Sequence, residues 1–115
     1  MRGSDDTEEI KLYLLQFAPA KRLICLMKDS LERCTSDTEK EQILSVIADK
    51  EKLVKEIYDL VFRLPDSIML EIVELYYFED KSVYEVCSTL HISKSTYHAH
   101  HKKALKQLKE MRDKK

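Results

Sequence analysis

Apolar residues recur at helical spacing through the first third of the chain. The steps between them alternate between three and four residues, as on one face of an α-helix: Ile10, Tyr13, Phe17, Ala20, Ile24, Met27, Leu31 and Cys34. Pro19 lies inside this run and lacks the backbone N–H that a helix interior uses. Because the apolar period continues across Pro19, the pattern predicts one kinked helix.

A second apolar run follows a polar interruption at residues 34–37. Ser36 and Glu39 have the spacing of a capping box, in which each side chain satisfies a backbone N–H at the start of a helix. The run then continues in steps of three and four through Ile43, Val46, Lys50, Leu53, Ile57, Leu60 and Leu64. Two helices joined by so short a loop are predicted to form an antiparallel hairpin over residues 1–64.

The apolar stripe of the second helix is wide, because Ile47, Val54 and Val61 lie beside the main run. A stripe of this width contacts more than one neighbouring helix. We therefore predict that two chains pair through their hairpins as a homodimer, with Lys50 as a polar position that fixes the register. The alternative is that the stripe packs onto the C-terminal part of the same chain.

Short helices are predicted for the rest of the chain, residues 65–115, which form the second region. Pro65 ends the hairpin, since proline disfavours helix in the residue before it. An apolar helix follows over residues 70–78, a capping box of Ser82 and Glu85 opens a helix over residues 83–90, and Ser93 caps a last helix over residues 94–112. No stretch has the alternation typical of strands, so the predicted fold class is all-α.

The last two predicted helices have the dimensions of a helix-turn-helix, with a three-residue break between a short helix and a longer basic one. Their inward positions are apolar: Val83, Val86, Cys87, Leu90, Ile92, Tyr97, Ala104, Leu105 and Leu108. The small Cys87 suits a close crossing of the two helices. Residues 65–115 are therefore predicted to be a helix-turn-helix DNA-binding domain, whose second helix enters the major groove of DNA.

The charge of the chain is unevenly distributed, although the net charge is only -1. Residues 1–90 hold 12 Lys/Arg against 19 Asp/Glu, whereas residues 91–115 hold 8 against 2 together with all four histidines. A near-neutral chain with one basic end is suited to contact a polyanion at that end. A solvated basic helix without a partner is the alternative.

The outward face of the last helix supplies the predicted DNA contacts. Lys94 and Lys102 can bond guanine acceptors or phosphates, and Ala99 can contact a thymine methyl group. The basic residues farther along the helix suit phosphates or solvent: Lys103, Lys106, Lys109 and Arg112. The predicted binding residues are Ser93, Lys94, Ser95, Thr96, His98, Ala99, His101, Lys102, Lys103 and Lys106.

The same segment resembles region 4 of bacterial sigma factors, which binds promoter DNA as a helix-turn-helix. The resemblance extends over residues 64–108 and includes ELYYFEDKS, YEVCSTLHISKST and HAHHKKALKQL. With the helical N-terminal part, nearly the whole chain is similar to phage-encoded late transcription activators of the ArpU/RinA type. The resemblance implies a regulator, most simply an activator of phage or prophage late genes, that acts in the bacterial cytoplasm and contacts RNA polymerase.

The chain departs from the sigma pattern at several positions. His91 stands where such modules have a glycine with left-handed backbone, a conformation that histidine tolerates better than most residues. Lys94, Thr96 and His98 stand where sigma recognition helices carry arginines. Because lysine and histidine lack the bidentate fork of arginine, the DNA target is expected to differ.

Other functions are less well supported by the sequence. Cys25, Cys34 and Cys87 have no CxxC spacing and are predicted to be buried, reduced thiols. No catalytic motif is found, and His98, His100 and His101 lack a further ligand at fitting spacing, so neither an enzyme nor a metal or other cofactor is expected. No membrane segment is expected either. The two alternatives are a small terminase-like DNA-packaging protein and a protein-interaction adaptor acting on the transcription machinery.

Overall fold

The computed structural model describes residues 7–114, and this range contains helices and no strand. The all-α prediction is confirmed. The elements are α1 (Glu8–Leu15), α2 (Phe17–Arg33), α3 (Asp37–Val61), α4 (Ser67–Val73), a π-helix (Glu74–Phe78), α5 (Val83–Leu90) and α6 (Lys94–Asp113). Within the same residues, no helix combines the length and the apolarity needed to cross a membrane.

Helices α1 and α2 form one long helix that bends at Gln16. The bend lies three residues before Pro19, whose ring crowds the carbonyl of Leu15 and which has no N–H to donate to it. The helical hydrogen bonds resume at once, since the Ala20 N–H donates to the Gln16 carbonyl at 3.0 Å. The predicted single kinked helix is therefore confirmed, with the kink one turn before the proline.

Helices α2 and α3 pack along each other as the predicted hairpin, joined by residues 34–36. Ser36 caps α3, because its side chain accepts from the Glu39 N–H at 3.4 Å. The second half of the predicted capping box is wrong: the Glu39 carboxylate accepts from the Cys34 thiol at 3.5 Å instead. The prediction of three buried thiols is also wrong, since Cys25 is exposed on the outer side of α2 and Cys34 and Cys87 are half-buried.

The main hydrophobic core joins the base of the hairpin to the C-terminal region. Its buried side chains come from α1, α2, α3 and the α3–α4 connection on one side and from α4, the π-helix and α6 on the other: Ile10, Leu14, Phe17, Ile57, Leu60, Val61, Leu64, Met69, Val73, Tyr77, Ala104, Leu105 and Leu108. The same-chain packing therefore accounts for the end of the α3 stripe near residues 57–64. Farther along the hairpin, Leu26 is 65% exposed and Leu44 is 51% exposed.

A smaller core holds the helix-turn-helix together. Ile72, Val86 and Tyr97 form its buried centre, with Cys87 and Ile92 packed against it. The predicted inward positions of both helices are all buried or half-buried, as the helical period requires.

Candidate nucleic-acid interface

Local capping interactions define the helix-turn-helix. The capping box that opens α5 is complete, because the Ser82 N–H donates to Glu85 Oε1 at 2.9 Å and the Glu85 N–H donates to Ser82 Oγ at 3.1 Å. His91 ends α5 in the left-handed conformation, with φ 57° and ψ 47°. Ser93 then caps α6 by accepting from the Thr96 N–H at 3.1 Å. The backbone thus turns tightly from α5 into α6, as the sequence predicted.

Most of the predicted DNA contacts are exposed together, from the residue before α6 to just past the middle of this helix. The exposed residues are Ser93, Lys94, Ser95, Thr96, His98, Ala99, Lys102, Lys103 and Lys106. Tyr97, Ala104, Leu105 and Leu108 hold the opposite side of the helix in the two cores. Because one side is fixed by packing, the exposed side forms a continuous surface about the length of three helical turns.

The lysines on this surface are not neutralised by neighbouring carboxylates. Among residues 7–114, Lys94, Lys102, Lys103 and Lys106 form no ion pair, whereas Lys109 pairs with Asp113 at 2.8 Å. Four unpaired ammonium groups on one helix face attract polyanions, and their charges add at short range. The surface is thus both cationic and accessible.

His101 is the exception among the predicted contacts, since it does not lie on the exposed face. Its ring is half-buried and packs beside the rings of Tyr76, Tyr77 and Tyr97, with centroid distances of 5.8, 5.5 and 5.4 Å. Burial is the main reason that the pKa of His101 falls to about 4, with smaller contributions from the charges of Lys11 and His98. His101 is therefore a neutral packing residue at pH 7.

The C-terminal end of α6 makes a contact that the sequence did not indicate. Arg112, predicted to meet phosphates or solvent, is exposed, and its guanidinium lies 3.9 Å from the centre of the Tyr13 ring. This cation–π contact fastens the end of α6 to α1. Burial, which is the largest effect there, raises the pKa of Tyr13.

The three neighbouring histidines are placed differently from one another. His98 is exposed, His101 bonds Tyr77, and His100 is half-buried with an Nδ1 that has no hydrogen-bond partner among the described residues. Residues 7–114 contain no group of three or more His, Cys, Asp or Glu side chains that could hold a metal ion.

A groove of about 920 Å³ runs along one flank of α6 and was not anticipated from the sequence. Glu8 and Lys11 of α1 line one wall, together with Thr7, the residue before α1. The opposite wall comes from α6, with His98, Lys102 and Lys106. No local sequence signal could reveal this groove, because α1 and α6 are separated by about 80 residues of chain.

A family model described as "Protein of unknown function (DUF1492)" matches residues 22–109. The chain belongs to this family, and the matched region includes α3 to α5, most of α2 and most of α6. No curated protein and no solved structure matches the chain.

Proposed function

We propose that this protein is a sequence-specific DNA-binding transcription regulator that reads the major groove with α6. The observation that carries the proposal is the exposed face of α6, where four lysines without carboxylate partners surround the small residues Ser95 and Ala99. An α-helix fits the major groove of B-form DNA, and a helix-turn-helix presents the N-terminal part of its second helix there.

The residues of this face suit two different tasks. Lys94, Ser95 and Ala99 lie on the first turns, where side chains reach base edges in a helix-turn-helix. Lys103 and Lys106 lie farther along α6, where they suit phosphates, which position the helix without reading sequence. The proposal therefore assigns base recognition to the N-terminal turns of α6 and backbone contact to its middle.

A homodimer is the proposed DNA-binding form. The hairpin carries large apolar side chains that the chain itself leaves uncovered, since Leu12, Leu26 and Leu44 are 58%, 65% and 51% exposed. Burying such side chains against a second copy is favourable, because apolar area is removed from water. The dimer would place its two α6 helices in major grooves that are separated by about one turn of DNA, or by a whole number of turns.

The role in gene expression rests on the resemblance to sigma region 4 and to phage late activators of the ArpU/RinA type. On this proposal the bound dimer contacts bacterial RNA polymerase in the cytoplasm and activates late genes. A terminase-like packaging protein would instead assemble as a ring of many subunits, so the subunit count separates the two.

Selection of bound fragments from random double-stranded DNA tests the proposal directly. We expect one enriched motif made of two related half-sites. A variant with Lys94, Lys102 and Lys103 changed to alanine should lose enrichment, whereas a control with Lys21 and Lys52 of the hairpin changed to alanine should keep it, since those exposed lysines lie on α2 and α3. Absence of any enrichment for the unaltered protein at low salt would contradict the proposal.

A further inference from the structure

Both walls of the groove between α1 and α6 carry positive charge. Lys11 stands on the α1 wall, and Lys102 and Lys106 stand on the α6 wall, where His98 is a further polar group. Glu8 is the one carboxylate among the described residues that line this groove. Three lysines facing a shared space repel one another unless an anion lies between them, so the groove favours an anionic occupant.

We propose that one sugar-phosphate strand of duplex DNA lies in this groove and that Lys11 of α1 contacts its phosphates. The inference rests on the proposed function, because it places the DNA relative to α6. A strand of phosphates borders the major groove on each side, so an element beside a recognition helix faces the backbone. α1 would thus contribute to DNA binding directly, in addition to its role in the hairpin.

Lys11 is suited to this contact because its charge is uncompensated. Lys11 is half-buried and forms no ion pair with a carboxylate in residues 7–114. Its ammonium charge is close enough to the floor of the groove to help lower the pKa of His101. The Lys11 ammonium group therefore lies near the groove. A phosphate bound there would replace the water molecules that hydrate this group.

The floor of the groove is built from aromatic rings and a neutral imidazole. Tyr76, Tyr77 and Tyr97 line it together with His101, and their rings contact one another. Packed rings hold the walls at a fixed separation. They also present a weakly polar surface beside the lysines, which strengthens the attraction between an ammonium group and a phosphate.

Two substitutions in the groove should change DNA affinity in opposite directions. Lys11→Gln should weaken binding about 3- to 10-fold, equally for the selected site and for unrelated duplex, and should reduce the salt slope by about 0.9, as loss of one phosphate contact does. Glu8→Gln should tighten binding about 2- to 5-fold, because a charge of the same sign as the phosphates is removed. Lys11→Arg should keep the affinity.

The matched control is Lys40→Gln, since Lys40 is also half-buried and unpaired in the described residues but lies at the far end of the hairpin. Fluorescence anisotropy with a labelled duplex, measured over a series of salt concentrations, gives both affinity and slope. Equal affinity and slope for Lys11→Gln and Lys40→Gln, with Lys102→Ala still weakened, would overturn the inference and leave the proposed function standing. Failure of the unaltered protein to bind any duplex would overturn both.

Discussion

The Tyr77 hydroxyl oxygen lies 2.7 Å from Nε2 of His101, and this hydrogen bond joins the π-helix to the middle of α6. Burial raises the pKa of Tyr77 above its ordinary range and lowers that of His101 to about 4. Both groups are therefore uncharged at pH 7. Tyr77 belongs to the π-helix, in which the Glu79 N–H donates to the Glu74 carbonyl at 2.9 Å. The hydrogen bond that fastens α6 to the π-helix is thus made by two uncharged side chains, Tyr77 and His101.

The stability of the protein should fall when the pH is lowered from about 6.5 towards 4. An unfolded histidine has a pKa of about 6.5, so below this pH the unfolded state binds a proton that buried His101 resists. The contribution of His101 is fully present above about pH 6.5 and is lost as the pH approaches 4. Between pH 7 and pH 5 we expect a loss of about 1 kcal/mol, discounted for partial solvent exposure, measured by urea unfolding at these two pH values.

His101→Gln should lessen this pH dependence, and exposed His98→Gln is the matched control that should keep it. Unfolding free energies that change with pH equally in both variants would show that another group is responsible.

Removing the hydroxyl groups of two buried tyrosines should have unequal effects on stability. Tyr77→Phe leaves His101 Nε2 without its partner and should cost about 1 to 2 kcal/mol. Tyr97→Phe should be neutral or stabilising by up to about 1 kcal/mol, because the Tyr97 hydroxyl is buried with no hydrogen-bond partner among residues 7–114. Burial is also the main cause that raises the pKa of Tyr97 to about 12. Thermal and urea unfolding compare the two; equal losses would contradict the assignment.

The left-handed turn at His91 should be improved by glycine. A non-glycine residue at this φ destabilises the folded state by about 1 to 2 kcal/mol. Glycine avoids this steric cost, but it loses more conformational entropy on folding, so the net gain is smaller. His91→Gly should therefore stabilise the protein by about 0.5 to 1 kcal/mol, whereas His91→Val, which is β-branched, should destabilise it by at least about 1 kcal/mol. Equal melting temperatures for the two variants would show that the turn is not strained.

Base-reading and phosphate-binding lysines should be separable by DNA binding. Lys94→Ala should weaken binding to the selected site by about 1 to 3 kcal/mol and relax its sequence preference. Lys106→Ala should weaken all duplexes alike and reduce the salt slope by about 0.9. Titrations with the selected site and with a scrambled site, over several salt concentrations, give both quantities. Identical behaviour of the two variants would show that this division of roles is wrong.

Exposed leucines of the hairpin should determine the oligomeric state. Light scattering at micromolar concentration should give a mass of twice 13.6 kDa for the unaltered protein. Leu12→Glu with Leu26→Glu should give monomers, because charges are costly in an apolar interface. Tyr84→Glu, at an 80% exposed position of α5 outside the hairpin, is the control that should remain dimeric. A monomeric unaltered protein would remove the dimer from the proposal.

Features that depend on residues within a few positions of each other were predictable from the sequence. The period of three and four identified the helices of the hairpin, and helical spacing also marked the buried side of α6. Ser82 and Glu85 form the capping box that their spacing predicts, and Ser93 caps α6 as predicted. The left-handed backbone at His91 agrees with what the resemblance to sigma modules implied. These are short-range hydrogen bonds and backbone preferences, so the local sequence contains their causes.

Features that depend on which elements, far apart in the sequence, pack together were decided by the tertiary structure. His101 looked like a member of the exposed face of α6, yet the π-helix, 24 residues earlier, covers it with Tyr77. Lys11 gave no signal of its own, yet packing of α1 beside α6 places it in a cationic groove. The helical period distinguishes the inner side of α6 from the outer side. It cannot assign the flanks between them, because a flank is exposed or covered according to the neighbour that folding brings there.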